Sequence, residues 1–251
     1  MVCRIYSNDR VVSPVCVPER QNLMALKDWN VPPSARPKPE DYGYDLDAAL
    51  SAVVGLRTII PSDAFTAETL GTERAGNGVL IRENGLVLTI GYLITEAETI
   101  WLTLSDGRAV PGHALAYDQE TGFGLVQALA RIEHPVLPLG SSQAIELGER
   151  VVVGGAGGRE RSVAARIVAK QEFAGYWEYV LDEAMYTSPA HPNWGGTAVI
   201  NEQGQLIGLG SASMPPRSAT ASPYWGSPAA GRRRRRTSRL ATSCCGLGTP
   251  R

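Results

Sequence analysis

Between residues 52 and 213 the chain is a series of short apolar segments separated by turn residues, spaced at roughly ten residues. The segments "GNGVLIRE" and "GLVLTIGYLI" flank Asn84-Gly85, a strong local hairpin signal. The segment "TIWLTLSDGRAVPGHALAYD" repeats the design around Asp106-Gly107. "ERVVVGGAG", "SVAARIVAKQEF", "YWEYVLDEA" and "TAVINEQGQLIGLGS" continue it. No long segment carries the 3.6-residue helical period. This pattern predicts an all-β chain, built as an antiparallel barrel or sandwich. Just upstream, "DLDAALSAVVGLRTI" predicts a short helix capped by Asp45 or Asp47 and leading into the first strand.

The two ends do not follow the pattern. Residues 1–45 read as an irregular extension, and "VPPSARPKPEDYGY" has the proline and charge content of a linker. After Met214 the chain turns to Ser, Ala, Gly, Pro, Arg and Cys, a low-complexity composition that buries too little apolar surface to order itself. The strand pattern stops in mid-sequence there, which points to translation in a shifted reading frame. The other reading of "GRRRRR" is a basic tail for nucleic acid or an anionic membrane. The expected plan is therefore an extension over 1–45, a first β unit over 46–130, a second over 131–214 and a basic tail over 215–251.

Composition narrows the class without naming a partner. The 251 residues are 43% hydrophobic and 20% charged, with 27 Gly and 17 Pro, as in a soluble globular protein of one large or two small domains. The net charge of −1 conceals an asymmetry, because eight arginines and no Asp, Glu or Lys follow Pro215, leaving −9 on the rest. The four cysteines, Cys3, Cys16, Cys244 and Cys245, lie at the extremes, so a reduced chain without metal or cofactor is expected. Charged residues break every apolar run of the N-terminus, and no stretch approaches the ~18–20 apolar residues of a membrane span. A cytoplasmic location is the expectation from these residues.

Four motifs, in order, carry a family resemblance. "GNGVLIRENGLVLTIGYLI" is similar to Gly-Ser-Gly-Val-Ile-Ile, a turn, then Leu-Val-Thr-Asn-x-His-Val-Val. "LSDGRAVPGHALAYDQETGFGLVQ" is similar to Asp-Gly-Arg running into Tyr-Asp-x-x-Thr-Asp-Leu-Ala-Val-Leu. "LPLGSSQAIELGERVVVGGAG" matches Leu-Pro-Leu-Gly-x-Ser followed by Leu-x-x-Gly-x-x-Val, and "SPAHPNWGGTAVI" with "GQLIGLGS" matches the nucleophile loop and the strand after it. Together they resemble the HtrA/Deg branch of the trypsin-like serine proteases. The resemblance implies two six-stranded antiparallel barrels with the active site between them. It also implies an incomplete second barrel, since the tail stands where the family continues with a strand and a helix.

The resemblance places the family's catalytic positions on residues that cannot do the reaction. Acyl transfer needs a hydroxyl, a base to take its proton and a carboxylate to orient the base. The base position falls on Tyr92, and a phenol with a reference pKa of ~10 is a poor proton acceptor near neutrality. The carboxylate position falls on Gly122 and the nucleophile position on Trp194, whose indole nitrogen only donates. The upstream oxyanion-hole donor falls on Pro192, which has no N–H. His191 and Ser188 lie in or near the same loop, and His113 and His134 elsewhere; each reads as a locally bonded or surface residue rather than a migrated base.

A catalytically inactive homologue is thus expected, with a peptide, an unfolded segment or an active paralogue as partner and nucleic acid not expected. Tyr92 and Trp194 would meet across the cleft, either filling the vacated site or flooring a peptide groove with His191 and Gly195. The alternatives are a serine endopeptidase with an unconventional site and a basic-tail binder of nucleic acid or membrane. The family resemblance implies the periplasm or cell envelope as the alternative location.

Overall fold

A computed structural model describes residues 30–174 and 180–211 of the chain. The tail after Met214, and with it the reading-frame and basic-tail expectations, lies outside them. Strand β1 (Val53–Ile59) pairs antiparallel with both β2 (Glu73–Arg82) and β4 (Thr99–Thr103), and this double pairing closes a barrel in the order β1-β2-β3-β6-β5-β4. The remaining members are β3 (Leu86–Ile90), β5 (Ala109–Tyr117) and β6 (Phe123–Ala128). Alternation decides which face each strand buries. In β1, Leu56 and Thr58 point inward while Arg57 and Ile59 are exposed.

Both predicted hairpin turns form where the glycines allow them. Gly85 and Gly107 each have φ of 85°, a left-handed conformation that costs a side-chain-bearing residue roughly 1–2 kcal/mol. In the second turn the Asp106 carboxylate also accepts from the Arg108 backbone N–H at 2.9 Å, closing the reversal locally.

The second sheet is an open half-barrel of five strands, ordered β11-β10-β7-β8-β9. Its strands are β7 (Arg150–Gly154), β8 (Ser162–Ala174), β9 (Val180–Ser188), β10 (Ala198–Ile200) and β11 (Leu206–Leu209). The incomplete second barrel expected from sequence is what the described residues form. One continuous core joins the two units, since Leu56, Val79 and Leu102 of the barrel share a cluster with Val152, Ile200 and Leu206 of the sheet. The "LPLG" segment adds backbone ties, with Leu137 N–H donating to the Leu80 carbonyl at 3.0 Å and Gly140 N–H to Leu206 at 2.8 Å.

Helix α1 (Leu46–Ser51) forms where expected, and of its two candidate caps Asp45 is the one used, accepting from Ala48 N–H at 3.0 Å. Asp47 instead pairs with Arg159 of the second unit at 2.8 Å. The helix buries Leu46 and Leu50, the latter against Gly154 of β7. A second, four-residue helix α2 (Ala67–Leu70) is too short to leave a period in the sequence. Residues 31–44 contain no strand but are anchored: Val31 is buried, and Tyr42 and Tyr44 pack on the core.

Candidate functional site

Strand β3 ends in a tight turn, Gly91–Leu93, which presents Tyr92 between the two units. Arg74, only 5% exposed, holds this turn by donating to the carbonyl oxygens of Tyr92 at 2.6 Å and Thr95 at 3.0 Å. Burial lowers the pKa of this guanidinium while the nearby Glu96 opposes the shift, and the carbonyls supply the hydrogen bonds a buried cation requires. Thr58 Oγ1 adds a 2.7 Å bond to the Leu93 carbonyl. Gly122, which the sequence resemblance aligned with the carboxylate, contributes only backbone: its carbonyl accepts from Gly91 N–H at 2.8 Å, and its own φ is 74°. A side chain on Gly91 would overlap the Tyr117 ring, so this corner is closed by packing.

From the second unit, the loop between β9 and β10 carries the other sequence-predicted residues. Trp194 and Tyr92 come together with ring centroids 6.4 Å apart and planes tilted by 56°, a favourable aromatic geometry. The Tyr92 hydroxyl also reaches Gly195, where a Cβ would lie 2.6 Å from it. Pro192 is exposed at the turn. His191, expected beside the cleft, is 4% exposed and packed on Gly155, with two of its hydrogen bonds made to backbone groups. Its Nδ1 accepts from Asn193 N–H at 3.2 Å, and Nε2 lies 2.8 Å from the Arg161 carbonyl oxygen. Burial is the main reason its pKa falls below the ordinary 6.5.

The other residues weighed from sequence lie elsewhere. His113 is exposed on β5, Ser188 is exposed at the end of β9, and His134 Nε2 lies 3.8 Å from Asp106 Oδ2. Among the described residues no group of three or more His, Cys, Asp or Glu converges on a metal position, and no helix is long and apolar enough to cross a membrane.

Asn77 of β2 is a site residue that motif reading passed over. It is 3% exposed in the middle of an apolar strand, and that mismatch in "GNGVLI" was the available signal. Its N–H and its Nδ2 both donate to the Gly195 carbonyl, at 2.8 and 2.9 Å, and its Oδ1 accepts from Ala156 N–H at 2.9 Å. Thr89 Oγ1 donates to the Asn77 carbonyl at 2.7 Å, completing the set. One side chain thus fastens two loops of the second unit to the barrel. Replacing Asn77 by alanine is expected to cost roughly 2–4 kcal/mol, because the half-buried Ala156 N–H loses its acceptor and the Gly195 carbonyl loses a buried donor. Chemical denaturation should show this as a lower midpoint at unchanged slope.

Residues 76–209 match the model of the trypsin-like peptidase domain. Serine protease HTRA1 of Xenopus laevis is 25% identical over 149 residues, covering 56% of this chain and 32% of that protein. A DegP-like periplasmic serine endoprotease of Hahella chejuensis is 26% identical over 140 residues, covering 55% and 30%. The chain spans about a third of the length of the curated relatives it matches. In fold it is similar to a variant of the HtrA-type protease AlgW solved with a tripeptide, with a TM-score of 0.56 at 21% identity over 68% of this chain and 55% of that one. Since the matched domain model covers more than half of its residues, the chain belongs to the trypsin-like peptidase family.

Proposed function

We propose that this chain is a catalytically inactive HtrA/Deg-type homologue that binds an extended peptide or unfolded segment at the cleft between its two units. The observation that carries this reading is the Tyr92–Trp194 ring pair, 6.4 Å between centroids, formed by the two residues that the sequence resemblance aligns with base and nucleophile. Neither ring supplies a proton acceptor with an attacking hydroxyl, and Pro192 removes a backbone donor from the oxyanion position. Half-buried aromatic rings instead offer apolar contact area with little rotamer entropy to lose. Support for a peptide ligand comes from AlgW, solved with a tripeptide and with a decapeptide. The DegP-like relative is named as periplasmic, which favours an envelope location. An active paralogue presenting an exposed segment would use the same surface.

The alternative, hydrolysis built on His191, meets a specific obstacle. Its Nδ1 lone pair accepts from Asn193 N–H, so the basic nitrogen is already engaged within the loop. A fluorophosphonate probe separates the two readings: no covalent labelling is expected, and labelling of any residue in the 188–196 loop would overturn inactivity. Binding is checked by fluorescence anisotropy with an unfolded casein. Trp194→Ala and Tyr92→Ala should each weaken affinity about tenfold, the scale of one interface aromatic. Unchanged affinity in both variants would remove the cleft as the binding site.

A further inference from the structure

The turn that carries Trp194 is braced by one imidazole, and the hydrogen bonds at its two ring nitrogens assign the tautomer. The Arg161 carbonyl, 2.8 Å from Nε2, only accepts, and the Asn193 N–H, 3.2 Å from Nδ1, only donates. Nε2 therefore carries the proton and Nδ1 offers its lone pair; only the neutral ring satisfies both. A second proton, at Nδ1, would set N–H against N–H one residue before Trp194.

We propose that His191 is a pH-sensitive latch: neutral, it holds the 191–194 turn closed with Trp194 against Tyr92, and protonated, it releases the turn and separates the ring pair. The neighbouring anchors confine the movement. The Gly195 carbonyl is bonded to Asn77 and the Trp194 carbonyl to Thr197, and none of these groups titrates. The latch therefore pivots at Trp194-Gly195 and leaves the strands in place.

Burial sets the direction, and the charges of the described neighbours are largely paired among themselves. Charged side chains on the packed 158–161 turn are Arg159, Glu160 and Arg161. Arg159 pairs with Asp47 at 2.8 Å and Glu160 with Arg36 at 3.6 Å, while the Arg161 stem packs over Gly157. Both carboxylates are thus matched to arginines. Gly154 and Gly155 of the β7 end, Ser188 to Ala190 of the β9 end, and Pro192 and Asn193 of the turn bring no charge. Burial lowers the pKa of the ring in the folded state. The closed turn is accordingly favoured above the unfolded value of 6.5 and loses stability as pH falls through the lower folded value.

The latch concerns the loop itself and stands whether or not the cleft takes a peptide. It is tested on the full chain carrying fluorotryptophan, with the Trp194 fluorine resonance assigned by Trp194→Phe. The Trp194 signal is expected to move with a single midpoint below pH 6.5 while far-UV circular dichroism stays native. In His191→Gln, whose amide can both donate and accept, the signal should be flat from about pH 8 to about pH 5. A flat signal in the unmodified chain, or the same transition retained in the glutamine variant, overturns the latch. Should that variant not fold, nitrogen NMR of the His191 ring in the unmodified chain decides. Protonation at Nδ1 must coincide with the Trp194 shift, and protonation without it overturns the proposal.

Discussion

Replacing Gly196 by alanine is expected to unfold the protein or leave it barely stable at room temperature. Two independent costs meet at this residue. Its φ of 75° puts it in the left-handed region, which costs an alanine roughly 1–2 kcal/mol. A Cβ there would also overlap the Asn77 carbonyl oxygen and stand 2.9 Å from its carbonyl carbon. Asn77 cannot yield, because β2 is paired with β1 through Asn77↔Gly55 and with β3 beyond it, and the residue is fastened to Gly195 and Ala156. Relief would require the two units to separate along their shared core. The sum exceeds about 4 kcal/mol, a large part of the 5–15 kcal/mol that holds an ordinary domain. Gly107→Ala is the internal control, since its φ is 85° with nothing within 4 Å of the new Cβ. Thermal denaturation should show a small loss for Gly107→Ala and a collapse for Gly196→Ala. Equal melting temperatures would mean that the glycine pair is not required for docking.

Docking alone accounts for a glycine at position 196, because the barrel backbone passes too close for any side chain there.

Trp194→Ser is expected to restore a hydroxyl without restoring activity. The new side chain would face a phenol at Tyr92 in place of a base, and Gly122 would still offer a carbonyl where the base needs an orienting carboxylate. Losing the triad as a unit costs about 10⁶ in kcat in enzymes that have one, and a missing oxyanion donor a further ~10²–10³. On the proposed reading Pro192 keeps that second loss in place whatever is done to the side chains, because it has no N–H. Hydrolysis of a fluorogenic protein substrate should remain at the background rate in Trp194→Ser and in the Tyr92→His, Trp194→Ser double variant. Turnover above background in the single variant would show that another group, with His191 the nearest candidate in sequence, acts as a base.

The order of strands, the two glycine turns and the residues at positions 92, 122, 192 and 194 were legible in the chain because each is a local signal. Period-two alternation, a glycine at a left-handed turn position and a motif's internal spacing all lie within about ten residues. The meeting of Tyr92 and Trp194 could be anticipated only through a resemblance, and the ring geometry then came from the fold. The roles of Asn77 and His191 could not be read this way. The Asn77 side chain bonds residues 79 and 118 positions away, and His191 reaches a carbonyl 30 positions away. Burial reverses the reading of each: a polar residue in an apolar strand becomes the fastener between two units, and a histidine three residues before Trp194 becomes a brace for its loop. By itself the sequence determined the all-β class and the hairpins, since these follow from side-chain identity and short-range pattern. Only the tertiary structure decided which buried polar groups find partners, because a hydrogen bond between distant backbone segments exists only once the barrel and the second sheet have docked.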